Sequence, residues 1–204
     1  MEILMTDVSW APARTMADEL REHGYVVHTC RDEQDPDAPS CAALRHADCP
    51  LDRYPIDAAV VVGPPPSTDH LADAGLCALR RRIPVVLVDR PGDPLEAWAS
   101  DSTTRSRAIA SIGALEGVGL PGHTAEARRT LDEELTRQGR SPSEVGVVVR
   151  RRNGGLLIEL SPHESLRPHD TERLAVHVAQ RVRAFDPWAR TIDVTVESTD
   201  EPHR

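Results

Sequence analysis

Residues 56–66 read IDAAVVVGPPP, from Ile56 to Pro66. Ala58, Ala59, Val60, Val61, Val62 and Gly63 form an unbroken run of small or β-branched residues that stops at three prolines. A run this short and this apolar reads as a strand buried on both faces, as in a parallel sheet covered by helices. Proline cannot donate to a ladder, so the strand ends at Gly63. In open α/β sheets, ligands and catalytic groups gather at the carboxyl ends of strands. Here that end carries Val62 and Gly63, neither of which brings a functional side chain.

Outward from this strand, the same alternation recurs. Glu2 to Asp7 reads as a first strand, followed by a helix with Pro12 in its first turn and Gly24 as its stop. Tyr25 to Cys30 is a second strand of β-branched character. Residues 31–39 are acidic and proline-rich, hence a loop; Ser40 to Ala47 reads as a short helix and Cys49 to Pro55 as a loop. Thr68 to Arg82 is a helix, and Ile83 to Val88 a fourth strand ending at Asp89. Strands and helices in this order imply a parallel sheet with right-handed crossovers. A fifth strand is expected at Ala108 to Ile112, after a short helix over Asp93 to Ser100 and an exposed polar stretch from Asp101 to Arg107.

Gly113 to Gly122 holds four glycines and Pro121 and is the expected linker. The helix Thr124 to Gln138 follows, capped by Thr124 and ended by Gly139. Val145 to Arg150 and Leu156 to Leu160 flank Asn153-Gly154, a hairpin signal. A helix capped by Asp170 runs to Phe185, with Leu174, Val178, Val182 and Phe185 in one stripe. Thr191 to Glu197 alternates as a half-exposed strand. The expected fold class is α/β: a parallel sheet over residues 1–116, a linker near 113–123, and a helix plus small ββαβ module over 124–200.

The stretches ILMTDVSWAPARTMADELREHGYVVHTCRD, PIDAAVVVGPPP and LRRRIPVVLVDRP together resemble the response-regulator receiver domain. The likeness covers roughly the first 90 residues and implies a five-stranded flavodoxin-like fold and a signalling role. The departures lie at the phosphorylation site. The family's acidic pair becomes Thr6 and Asp7. The phospho-accepting aspartate falls on Val62, or on Gly63 one position later. The hydroxyl residue after the fourth strand becomes Asp89. The family lysine has no counterpart, because all 24 basic residues of the chain are arginine. Phosphoryl transfer to a carboxylate needs that carboxylate and cations to neutralise the transferred oxygens. The resemblance therefore implies a pseudo-receiver, a regulatory or protein-interaction protein rather than an enzyme. The competing expectation is an enzyme or small-ligand binder at the strand ends, with Asp7, Gly63, Ser67, Thr68 and Asp89 as its residues: carboxylates for a cation or hydroxyl, and helix-terminal amides for an anion.

His28, Cys30, Cys41, His46 and Cys49 lie within 22 residues of chain, and thiolate with imidazole is a zinc donor set. Cys30, Cys41, His46 and Cys49 are the candidate ligands, although their spacing lacks the CxxC knuckle of zinc motifs. No cofactor is expected. The net charge of −9 disfavours nucleic acid and anionic membranes, which require a basic face. No apolar window reaches the length of a membrane span. The start MEILMTD lacks a basic and apolar leader, which leads to an expected cytoplasmic location, where the four cysteines are expected as thiols rather than disulfides. The apolar edge Val145 to Val149 of so small a module leads to an expected homodimer.

Overall fold

The computed structural model describes residues 1–5, 11–30, 49–63, 74–117, 119–141, 145–162 and 167–197. The chain divides into two compact units, Met1–Gly117 and Val118–Arg204.

The first unit contains β1 (Glu2–Met5), α1 (Ala11–Glu22), β2 (Val26–Thr29), α2 (Pro50–Arg53), β3 (Ala58–Val62), α3 (Ala74–Arg80), β4 (Val85–Val88), β5 (Asp101–Thr103) and α4 (Arg105–Gly117). Its five strands lie in the order β2-β1-β3-β4-β5, every pair parallel. β3 is the middle strand and every one of its residues is buried. Period-two alternation divides it between two cores. Ala58, Val60 and Val62 pack with Ile3, Met5, Met16, Leu20 and Ile112; Ala59 and Val61 pack with Leu4, Ile56, Ala78, Val85 and Leu87. Burying side chains of this size stabilises by about 1.5–3 kcal/mol each. α1 presents Ala13, Met16, Ala17 and Leu20, a three-and-four spacing, to the first core, and Gly24 ends it at a φ of +83°.

Several expected elements are corrected. Ala108 to Ile112 is part of α4, not the fifth strand. Ala108 and Ile112 are four residues apart and both fully buried in one core, which is a helical spacing. The fifth strand is instead the three polar residues of β5, formed by pairing Val86–Val88 of β4 with Asp101–Thr103. The expected linker is mostly helix. Gly113 lies inside α4, where a Cβ would meet Tyr25 Oη at 3.6 Å. Pro121 opens the next helix, because its fixed φ suits a first turn. Cys49 to Pro55 contains the one-turn helix α2, again with a proline at its start. Asp93 to Ser100 is a series of turns, not a helix; the buried Arg90–Asp93 ion pair holds it, and Asp93 Oδ1 accepts the Leu95 N–H at 2.7 Å. The expected helix at Ser40 to Ala47 lies outside the described residues.

The second unit contains α5 (Pro121–Arg137), β6 (Val145–Arg152), β7 (Gly155–Pro162), α6 (Pro168–Phe185) and β8 (Ile192–Val196). The sheet order is β6-β7-β8, with β6 antiparallel and β8 parallel to β7. Asn153 and Gly154 both have positive φ, 53° and 70°, as a type I′ hairpin turn requires. Gly155 is needed for space: a Cβ there would lie 2.1 Å from Thr191 Oγ1 and 3.3 Å from the Thr191 carbonyl. One core joins Ala127, Leu131 and Leu135 of α5, Leu174, Val178 and Val182 of α6, and Val149, Leu156, Ile158 and Leu160 of the sheet. Thr124 and Asp170 do not cap these helices. α5 starts at Pro121 after Leu120, and α6 at Pro168 after Arg167, with no side-chain cap bond at either.

Candidate functional site

The carboxyl ends of β3 and β4 lie side by side. Val62 pairs with Val88, and the Gly63 N–H donates to the Val88 carbonyl at 3.0 Å. Gly63 has a φ of +98°, a conformation that side chains resist. Val62, next to it, is buried. Asp89 follows β4 at a φ of +53° and is exposed. Its Oδ1 accepts the Arg105 N–H at 3.2 Å at the start of α4, and its own N–H donates to the Thr103 carbonyl at 2.9 Å. The structure thus brings Gly63 and Asp89 to neighbouring strand ends, with the Asp89 carboxylate holding a helix terminus. Asp7, Ser67 and Thr68 lie outside the described residues. The buried carboxylate adjoining β3, Asp57, is at the opposite end of the sheet, where its Oδ2 accepts the Glu2 N–H at 2.9 Å. Chemistry in open α/β sheets is found at the other end.

Of the candidate zinc ligands, Cys30 is buried and Cys49 half-buried, both packed against the apolar cluster of Leu4, Leu51 and Ile56. Cys77 joins the same cluster, and none of these three forms a disulfide. Cys41 and His46 lie outside the described residues. His28, which shares that stretch of chain, bonds the Glu2 carboxylate through Nε2 and stacks on Tyr54 with ring centroids 3.8 Å apart. Among the described residues, no three His, Cys, Asp or Glu side chains converge to hold a metal ion.

Two further charge clusters lie in the second unit, each around a buried carboxylate that was not among the expected site residues. Asp186, just past α6, is fully buried. Its Oδ2 receives His123 Nε2 of α5 at 3.0 Å and Arg151 Nη2 of β6 at 2.6 Å, while Oδ1 accepts the Trp188 and Ala189 N–H groups. Burial alone raises its pKa. The hydrogen bond from His123 and the Arg151 charge outweigh that and hold the carboxyl below its ordinary range.

Glu134 of α5 is 1% exposed. Its oxygens meet Arg137, Arg173 Nη2 at 2.9 Å, His177 Nδ1 at 3.1 Å and Gln138 Nε2 at 3.4 Å. Here too burial raises the pKa, and His177, Gln138 and the two arginines bring it below the ordinary value. A cleft of about 270 Å³ opens above it between α5 and α6, lined by Thr130, Glu133, Arg137, His177, Gln180 and Arg181. With donors on both oxygens, Glu134 serves as a polar clasp between the two helices. One signal in the sequence did mark it: Glu134 sits beside Leu135 and three residues after Leu131, on the apolar stripe of α5.

No family model, curated protein or solved structure matches this chain.

Proposed function

We propose that the chain is a non-catalytic regulatory or protein-interaction protein, built on a receiver-like unit that cannot be phosphorylated at its third strand. The observation that carries this reading is the end of β3. Val62 is buried, Gly63 turns the chain at a φ of +98°, and neither has a carboxylate. The strand order 2-1-3-4-5 supports the flavodoxin-like assignment. The single described carboxylate at the strand ends, Asp89, is engaged with the Arg105 N–H. With no lysine in the chain, the phosphoryl oxygens would also lack their usual cationic partner. Under this reading the protein acts by presenting surfaces to protein partners, a second copy of itself among them. Among the described residues no helix is long and apolar enough to cross a membrane.

The test is incubation with acetyl phosphate and magnesium, followed by intact-mass measurement. The expected result is an unchanged mass. An acid-labile gain of one phosphoryl group, mapped to a strand-end carboxylate such as Asp89, would overturn the proposal.

A further inference from the structure

The open edges of the second unit's sheet are not equivalent. At β6, the edge expected to pair with another molecule, the Leu120 N–H already donates to the Val149 carbonyl at 2.6 Å, and Gly119 lies against Val148 and Val149. That arm of the chain takes the middle of the β6 edge. At β8, among the described residues, β7 lies on one side and no strand on the other. The Leu156 N–H donates to the Thr191 carbonyl and the Glu197 N–H to the Leu160 carbonyl, so the odd-numbered residues of β8 turn their backbone toward β7. The N–H and C=O groups of Ile192, Val194 and Val196 then point to the open side. Their side chains, on the core face, are only half-buried.

We propose that β8 pairs antiparallel with β8 of a second copy of this chain, on a two-fold axis at Val194, giving a six-stranded sheet. This deepens the interaction reading above by naming the partner, and it rests on that part of the reading alone. Two further observations support this occupant and this register. The first is charge. Centring on Val194 sets Ile192 against the partner's Val196 and Asp193 against the partner's Thr195, so no carboxylate faces another directly. A shift of two residues along the partner, setting Asp193 on Asp193 or Thr195 on Thr195, loses this: the first places like charges opposite each other and the second pairs Asp193 with Glu197, both unfavourable.

The second observation is the flank of α6. α5 packs against β6 and α6 against β8, so α6 stands next to the open edge. Its side toward α5 is fixed by Arg173 and His177, which reach Glu134, and its core side by Leu174, Val178 and Val182. At about 100° per residue, the flank turned away from α5 carries Ala175 and Ala179, with Thr171 toward the core and exposed Glu172 and Arg183 toward solvent. Beside it is Val176, 52% exposed, one of the few large apolar side chains left in the open. Two strands span about 10 Å, close to the 8–10 Å between packed helices. Joining two copies at β8 therefore brings the two α6 helices to packing distance, with Ala175 and Ala179 nearest the core, and Glu172, Arg183 and Val176 above them at the seam.

Sedimentation of the full chain over a dilution series from low to high micromolar tests the pairing, together with two substitutions at exposed Thr195. The expected result is a concentration-dependent dimer. Thr195→Asp, which sets a second carboxylate against Asp193 on both sides of the axis, should weaken it by roughly 2- to 30-fold, and Thr195→Arg should tighten it. Val194→Cys, oxidised with copper–phenanthroline, should give a 194–194 disulfide by peptide mapping, since hydrogen-bonded antiparallel pairs set Cα atoms about 5.5 Å apart. Val147→Cys on the β6 edge should not cross-link to itself. Circular dichroism confirms folding of each variant. A monomer at every concentration, equal affinity of the two Thr195 variants, or cross-linking through 147 instead of 194 would overturn the β8 pairing. None of these results touches the phosphodonor test, which reports on the first unit only.

Discussion

The two units bury themselves by different means. In the first, β3 and β4 are apolar from end to end and covered on both faces, and the buried Arg90–Asp93 pair lies in the turns beyond β4. In the second, the sheet is covered on one face, and the helices above it are tied to each other and to β6 through Glu134 and Asp186. A two-sided sheet can be stabilised by apolar contact alone. A one-sided sheet under two helices has fewer apolar partners, and here ionised groups bind the layers. The lesson is that the second unit depends on charge in a way the first does not.

The strongest way to break that contrast is to remove the Asp186 carboxylate. Asp186→Ala removes the carboxylate that receives buried His123 and Arg151 through one oxygen and the Trp188 and Ala189 N–H groups through the other. Breaking a buried pair from one side costs about 3–5 kcal/mol. Urea unfolding followed by hydrogen exchange should show this loss in residues 119–197 and leave β1, β3 and β4 as protected as before. Equal loss in both units would end the contrast.

Acid should separate the units more gently. The folded pKa values of Asp186 and Glu134 are both depressed. A depressed carboxyl contributes stability that is present above its unfolded pKa, about 4 for these groups, and lost as pH falls through the folded value. The urea midpoint of the second unit should therefore decline below about pH 5, and exchange in α5 and α6 should rise before exchange in β3. A second unit as acid-resistant as the first would show that Glu134 and Asp186 are not the stabilising groups.

The smallest expected effect sharpens the other side of the comparison. Gly63→Ala puts a Cβ on a residue at a φ of +98°, a strain of about 1–3 kcal/mol. The unfolding free energy of the first unit should fall by that amount, lowering its denaturation midpoint, while the second is unmoved. No change would mean that the end of β3 relaxes to another conformation.

The same contrast explains what could be read in the sequence. β3 and β4 were legible because burial on both faces leaves an uninterrupted apolar run, and Asn153-Gly154 fixed the hairpin because few residue pairs accept two positive φ angles. β5 was not legible: Asp101, Ser102 and Thr103 are a strand only because β4 supplies their partners. Ala108 to Ile112 reads as a strand as easily as a helix because a short stretch, apolar except for Ser111, fits either period. At the candidate site, Gly63 and Asp89 were correctly placed at strand ends by the pattern alone. Glu134 and Asp186 were missed because their burial depends on residues 35 to 63 positions away, namely His177, Arg151 and His123, which no local pattern brings together.

The Asn153-Gly154-Gly155 turn carries more information than a loop of its size usually does. Its first two residues set β6 against β7 through their backbone angles. The third leaves a gap into which Thr191 fits, and the Arg190 N–H bonds the Gly154 carbonyl at 3.0 Å beside it. Three consecutive residues thus encode the alignment of an antiparallel neighbour and of a parallel one 36 positions later. A mutational scan should find these three positions less tolerant than any buried strand position of the sheet, since a core side chain can be exchanged for another of similar volume, whereas a missing Cβ has no substitute.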